Sequence, residues 1–166
     1  MTGLLLAHSP DETIGTAVVV SGSEDGAVKI WWDGGRALNC KIVHSDPVRQ
    51  IKLLSNQRII SRSAFDGKIL VMWKLRDGQV LDTFSFENKN STCTSMDVDG
   101  KNDLVALGTS DGLIYLFNAQ NEKLDLKQIL KPNPTYGPVR ILRFDHAGLN
   151  LATGHDTGVC EVSFYN

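Results

Sequence analysis

Apolar and polar residues alternate along most of the chain, in short runs that turn residues separate. A glycine within or beside an acidic turn recurs between two such runs at Gly26, Gly67, Gly112 and Gly158. Alternation with a period of two predicts half-buried β-strands. A tight acidic-glycine connection between two strands predicts a β-hairpin, because the turn requires a positive φ. The chain is therefore predicted to contain four hairpins.

Each hairpin is flanked by further predicted strands. VRQIKLL, CTSMDV and VRILRF precede the last three hairpins, and all three have apolar residues at their first, fourth and sixth positions. ALNCKIV, QVLDTFSF and KLDLKQIL follow the first three. Four antiparallel strands in a unit of about 40 to 45 residues match the period of a propeller blade. The predicted fold is all-β, with four consecutive blades over residues 15–43, 44–87, 88–130 and 131–166.

The four units resemble the WD-repeat β-propeller family in GSEDGAVKIW, FDGKILVMWKL, LVALGTSDGLIYLF and GPVRILRFDHAGLNLATG. The resemblance implies a hydrogen-bonded network within each well-formed blade, which pairs buried polar groups and makes the blade rigid. In blade two its members would be His44, Ser61, Asp66 and Trp73, although two one-residue insertions interrupt the spacing. In blade one they would be Ser21, Asp25 and Trp31. Blades three and four depart from this pattern, so their stability is expected to come mainly from apolar burial.

The two ends of the repeat array are predicted to be incomplete. Only MTGLLLAHSPDETIG precedes the second strand of blade one, and blade four stops after its third strand. Propellers of this family usually have seven or eight blades, which at this period require on the order of 300 residues. We therefore expect a fragment, a short form or one part of a larger propeller, whose missing blades come from a longer chain or from another copy.

Composition narrows the class of protein. The 166 residues include 42% hydrophobic residues, 17 basic and 19 acidic side chains, for a formal net charge of −2. This balance argues against a basic nucleic-acid surface. No apolar run approaches the roughly 20 residues of a membrane helix. Three widely spaced cysteines with no CxxC pair favour a reducing compartment. We expect a soluble cytoplasmic protein without nucleic-acid or membrane partners.

The sequence contains no convincing catalytic or metal-binding constellation. Ser9, His8 and Asp11 lie in one loop with no fixed geometry, so a hydrolase triad is not expected there. His146 and His155 lack a third ligand on a neighbouring segment. We therefore predict no enzyme activity, no catalytic residue, no metal and no cofactor.

Partner binding is the more favourable hypothesis, because propellers bind partners through the loops at their rims. The tripeptide Pro-Val-Arg recurs before the first strands of blades two and four, so Arg49 and Arg140 are candidates for a shared rim that binds carboxylates. The alternative is that both arginines are merely solvated. Tyr136 lies at the tip of the turn-rich loop NPTYGP, and Trp32 is predicted to point away from the core position of Trp31. Both are further candidates for partner contact. The alternatives are that the loop of Tyr136 is only a connector and that Trp32 packs against the adjacent blade.

Blade two shows a narrower resemblance. IKLLSNQRIISRSAFDGKILVMWKL is similar to blades of the apoptotic protease-activating factor family. That resemblance implies an adaptor that regulates caspase activation within an apoptosome. The alternatives are a WD-repeat scaffold in another pathway, such as trafficking, ubiquitin ligation or RNA processing, and an enzyme built on a propeller. Other proteins are the expected partners in the scaffold hypotheses.

Overall fold

The structure is a computed structural model that describes residues 3–8, 17–32, 36–63, 65, 69–87 and 90–164, with the side chains of 3–8, 17, 32, 36–40 and 164 left out. The chain divides into two compact units, residues 1–85 and 86–166. Among the described residues each unit holds two antiparallel sheets, and strands that follow one another in sequence are neighbours in the sheet. The prediction of an all-β fold built from consecutive propeller blades is confirmed.

The first unit contains two four-stranded sheets, A and B. Sheet A consists of β1 (Gly3–His8), β2 (Ala17–Gly22), β3 (Ala27–Trp32) and β4 (Arg36–Ile42). Sheet B consists of β5 (Val48–Leu54), β6 (Arg58–Ser63), β7 (Leu70–Lys74) and β8 (Val80–Phe84).

The core of the first unit lies between these two sheets. Val20 and Ile30 of sheet A pack in one buried cluster with Val48 and Ile51 of β5. The sheets approach closely at Gly22, where an added Cβ atom would lie 2.5 Å from Cγ1 of Val48. A side chain at this position would push the sheets apart, so the glycine permits the close contact.

The second unit repeats this arrangement with sheets C and D. Sheet C consists of β9 (Cys93–Asp99), β10 (Leu104–Thr109), β11 (Ile114–Asn118) and β12 (Asp125–Leu130). Sheet D consists of β13 (Val139–Phe144), β14 (Asn150–His155) and β15 (Cys160–Phe164). Two short 3₁₀ turns, Gln120–Glu122 and Pro134–Tyr136, lie in the connections.

The core of the second unit has the same construction. Ala106, Ile114 and Leu116 of sheet C pack against Val139, Leu142 and Leu151 of sheet D. Gly108 occupies the place that Gly22 has in sheet A, and an added Cβ atom there would lie 2.6 Å from Cγ1 of Val139. The same glycine-to-valine contact therefore joins the two sheets of each unit.

The predicted hairpin turns are present. Gly26, Gly112 and Gly158 each lie between the second and third strands of their sheets, with φ of +80°, +82° and +84°. These values lie in the left-handed region that glycine tolerates and other residues resist. Gly67 lies outside the described residues.

The first strand differs from the prediction. Sheet A has a complete inner strand, β1, which pairs with β2 from Gly3↔Gly22 to His8↔Ala17. The run GLLLA has no alternation of polar and apolar residues, so the pattern did not indicate a strand there. The first sheet thus begins at residue 3, ahead of the expected boundary at residue 15.

The insertions in blade two leave the pairing of its second and third strands, β6 and β7, without a register shift. Strand β7 pairs with β6 from Leu70↔Arg62 to Lys74↔Arg58 with no shift. The extra residues therefore belong to the connection between these strands, most of which lies outside the described residues.

Candidate partner-binding site

The connection into β13 and the turn between β14 and β15 lie at the same end of sheet D. The backbone N–H of Asp156 donates to the carbonyl of Pro138 at 3.0 Å, and Oγ1 of Thr157 donates to the carbonyl of Tyr136, also at 3.0 Å. Two consecutive turn residues therefore hold the predicted Tyr136 loop in place.

Arg140 forms an ion pair with Asp156 on this surface. Its Nε donates to Oδ1 of Asp156 and its Nη2 donates to Oδ2, each at 2.7 Å. The hydrogen bonds from Arg140 lower the pKa of Asp156 below its usual value, and those to Asp156 raise the pKa of Arg140. Both side chains are largely exposed, at 58% and 46%, so water screens the pair and a partner's carboxylate can compete for the arginine.

Tyr136 packs against the same turn. Its ring meets the ring of His155 edge-on, with centroids 5.5 Å apart. His155 is buried, and its Nδ1 lies 3.3 Å from the carbonyl oxygen of Gly137. The side chain of Asn133 accepts a hydrogen bond from the backbone N–H of Thr135 and caps the 3₁₀ turn that carries Tyr136. Tyr136 is thus a half-buried aromatic on a fixed loop.

The structure thereby brings Tyr136 and Arg140 to one turn of the second unit, through Thr157 and Asp156. We call the surface formed by Tyr136, Arg140, Asp156 and Thr157 the D-rim. An aromatic side chain beside an arginine is the combination that protein interfaces favour at their energetic centres.

Arg49 has a different environment from Arg140, although both follow Pro-Val. Arg49 is exposed and makes no ion pair with another described residue. Its strand pairs Val48 with Ser63, whereas Val139 pairs with His155. In sequence, Asp156 follows His155 and Ala64 follows Ser63, so blade two has no carboxylate at this sequence position. The shared rim of the two arginines stays a prediction. Trp32 lies in β3, but its side chain is outside the described part of the chain, so its predicted role also stays open.

Blade two contains three of the four predicted network side chains in contact. Nε2 of His44 lies 2.7 Å from Oγ of Ser61, and Nε1 of Trp73 donates to the same oxygen at 2.9 Å. All three residues are buried. Asp66 lies outside the described residues.

In blade one the network is smaller. Nε1 of Trp31 donates to Oγ of Ser21 at 2.9 Å. Asp25 instead accepts a hydrogen bond from the backbone N–H of Ala27 at 3.0 Å. Hydrogen bonds from Ser23 and from this N–H lower the pKa of Asp25. The acidic residue of this turn therefore stabilises the hairpin itself.

The polar contacts of two aspartates were missed by sequence reasoning. In sheet C, Asp111 accepts hydrogen bonds from Oγ of Ser91, at 2.8 Å, and from Thr109. Asp97 accepts a hydrogen bond at 2.9 Å from the backbone N–H of Phe144 in sheet D. Ser91 lies 20 residues from Asp111 and Phe144 lies 47 residues from Asp97, so local sequence patterns do not reveal these two pairs.

Other kinds of site find no support in the described part of the chain. No group of three or more histidine, cysteine, aspartate or glutamate side chains there is arranged to hold a metal ion. No helix among those residues is long and apolar enough to cross a membrane. Cys93 and Cys160, the two cysteines whose side chains are described, are free thiols.

Within each unit two antiparallel sheets pack face to face, and sheets A, C and D each have a glycine turn between their second and third strands. This architecture is that of the β-propeller class. A family model described as "WD domain, G-beta repeat" matches residues 6–31, which cover the first hairpin. Among solved structures, the C-terminal WD40 domain of Sif2 superposes with a TM-score of 0.81 and 17% identity, over 98% of this chain and 45% of that one. The computationally designed Ika4 protein superposes with a TM-score of 0.74 and 22% identity, over 99% of this chain and 91% of that one. These findings support the WD40 repeat family.

Three curated relatives are similar in sequence. The chain is 27% identical over 165 residues to "Periodic tryptophan protein 2 homolog" of Dictyostelium discoideum, covering 96% of this chain and 14% of that protein. It is 25% identical over 111 residues to "Ribosome biogenesis protein YTM1" of Saccharomyces cerevisiae, covering 66% of this chain and 24% of the relative. It is 30% identical over 108 residues to the protein of that name from Candida glabrata, covering 64% and 22%. The chain therefore spans less than a quarter of each of these relatives.

Proposed function

We propose that the chain is a non-enzymatic protein-interaction module of the WD-repeat type that serves ribosome biogenesis. The observation that carries the proposal is its similarity to two yeast proteins whose names state that role. Of the alternatives considered from the sequence, the RNA-processing scaffold agrees best with these relatives. The apoptotic role receives no support from them.

The D-rim is the surface that we propose for partner contact. It presents an aromatic ring on a fixed loop and an arginine whose ion pair is exposed to water. Its partner is a protein segment with a carboxylate, which Arg140 would bind in a bidentate manner in place of Asp156. The formal net charge of −2 favours a protein partner over an extended phosphate backbone.

Sedimentation of a tagged copy of the full chain from cell extract tests both parts of the proposal. We expect the wild-type chain to sediment with pre-ribosomal particles, and the Arg140→Glu variant to lose most of that fraction. The control is Lys123→Glu, which reverses one exposed cation in the β11–β12 connection, at the opposite end of its sheet from the hairpin turn.

The outcomes separate the function from the site. If the wild-type chain stays at the top of the gradient, the role in ribosome biogenesis is refuted. If Arg140→Glu sediments like the wild type, the D-rim is the wrong surface. Imaging of the same tagged chain tests the cytoplasmic location, which remains a proposal.

A further inference from the structure

One face of sheet D is apolar and exposed. Ile141 is 50% exposed and Val162 is 59% exposed, and Ala152 and Cys160 are exposed beside them. Ala152 pairs with Val162, and Gly154 pairs with both Ile141 and Cys160, so these residues form one continuous patch across three strands. We call this patch the open D face.

The open D face corresponds to faces of sheets A and C that are covered by the sheet that follows each of them. Counting from the hairpin glycines, Ala152, Cys160 and Val162 occupy the positions of Ala106, Ile114 and Leu116 in sheet C. Those three residues are 0%, 0% and 6% exposed, because sheet D packs on them. Sheet A has Val20, Val28 and Ile30 at the same positions, and sheet B covers them.

The glycine four residues before each of these hairpin glycines supports this correspondence. An added Cβ atom at Gly22 would contact Val48 of the following sheet, and one at Gly108 would contact Val139 of its following sheet. At Gly154, the third member of this set, the atoms near an added Cβ belong to Ile141 and Cys160 of the same sheet. Sheet D therefore has the glycine that the contact requires, but among the described residues no side chain of another sheet packs against it.

Sheet A exposes the complementary surface, the one that in sheet B packs against the preceding sheet. Val19 and Trp31 are cross-strand partners on the side of sheet A that faces away from sheet B, and both are only half-buried. Their counterparts in sheet B, Ile59 and Trp73, are 0% and 1% exposed, because they pack against sheet A. We call the surface of Val19 and Trp31 the open A face.

We infer that a second copy of this chain docks its open A face on the open D face. The chain carries both halves of a contact that it already makes twice within itself, once in each unit. A surface and its complement at different places on one molecule define a head-to-tail interface, which closes into a ring or extends as a filament. The chain aligns with 45% of the WD40 domain of Sif2, so two copies approach the length of that domain.

Sedimentation velocity on the purified full chain tests the inference. Since one chain has a mass of 18.2 kDa, we expect a species of twice that mass that increases with protein concentration. Val162→Glu and Ile141→Glu each place a charge on the open D face and should return the chain to 18.2 kDa. Leu149→Glu is the control, since Leu149 is 63% exposed in the β13–β14 turn, outside that face.

A mixing experiment distinguishes head-to-tail contact from contact between two identical faces. Val162→Glu retains an intact open A face, and Val19→Glu retains an intact open D face. A mixture of the two variants can form one good contact, so we expect a one-to-one pair from two chains that are monomeric alone. A contact between two D faces would not be restored in this mixture.

Several results would overturn the inference. These are a wild-type chain of 18.2 kDa at every concentration, an assembly that persists in both D-face variants, and a mixture that stays monomeric. Circular dichroism of each variant verifies that the sheets are intact, and the two D-face substitutions provide independent tests if one of them fails to fold. The outcome does not depend on the proposed role in ribosome biogenesis, because only purified protein is used.

Discussion

Ser61→Ala should destabilise the first unit much more than Ser21→Ala does, although both changes remove one serine hydroxyl that accepts from a tryptophan. In blade two, Oγ of Ser61 is the acceptor for Nε1 of Trp73 and also contacts Nε2 of His44. Trp73 is 1% exposed, so its N–H cannot turn to water when the hydroxyl is removed. In blade one, Trp31 is only half-buried, and water can take the place of Ser21.

The expected magnitudes follow from these environments. A buried donor left without its acceptor costs about 1–3 kcal/mol, and the lost hydrogen bond to the imidazole adds about 1 kcal/mol. Ser61→Ala should therefore lower the free energy of unfolding by about 2–4 kcal/mol. Ser21→Ala should lower it by less than about 1 kcal/mol, because the indole N–H of Trp31 is resolvated.

Tryptophan fluorescence in a urea titration measures this difference directly. All three tryptophans, Trp31, Trp32 and Trp73, lie in the first unit, so the signal reports on that unit alone. At an m-value of about 2 kcal/mol/M, Ser61→Ala should move the urea midpoint down by about 1–2 M. Equal shifts for the two variants, or a shift below about 0.3 M for Ser61→Ala, would refute the argument from burial.

Two further predictions concern the turns and the D-rim. Gly158→Ala should lower the free energy of unfolding by about 1–2 kcal/mol from its positive φ alone, since no atom lies within 4 Å of the added Cβ. Gly26→Ala should lower it by on the order of 3 kcal/mol or more, because its Cβ would lie 2.0 Å from a backbone carbonyl oxygen. Urea titrations followed by circular dichroism compare the two, and equal losses would contradict this reasoning. The depressed pKa of Asp156 means that its contribution to stability is present above the pKa of an unfolded aspartate, about 3.9, and is lost as pH falls through the folded value. In Arg140→Gln, carboxyl NMR should show a rise in the pKa of Asp156. Asp145 is the control, because its pKa is lowered by hydrogen bonds from Asn150 and nearby backbone and should stay unchanged. A rise in both pKa values, or in neither, would be inconsistent with the ion pair.

The hairpins were predictable because a local rule fixes them. A tight turn between the second and third strands needs positive φ, and only glycine adopts it readily, so Gly26, Gly112 and Gly158 identify the turns. Strand β1 was missed because GLLLA has no alternation, and its place is fixed by pairing with β2 across a long connection.

The D-rim was only partly predictable. The sequence selected Tyr136 and Arg140 from a loop and a repeated tripeptide, and the structure links them through one turn. The repeated tripeptide suggested that Arg49 and Arg140 are equivalent, but equivalence also depends on the residue opposite each arginine. Asp156 follows His155, the strand partner of Val139, whereas in sequence Ala64 follows Ser63, the strand partner of Val48, and only the strand register reveals this difference.

The repeats tolerate different polar networks because the contact they share is apolar. The network differs between sheets B and C, yet each unit joins its two sheets through the same glycine and valine, Gly22 with Val48 and Gly108 with Val139. Burial of such apolar surface contributes about 25 cal/mol per Å² and requires no particular hydrogen-bond partner. Polar positions in these repeats can therefore change without loss of the fold, while the close approach at the glycines cannot. Side chains that differ between blades are then free to serve the proposed partner contact, and Asp156, the ion-pair partner of Arg140, is one such side chain.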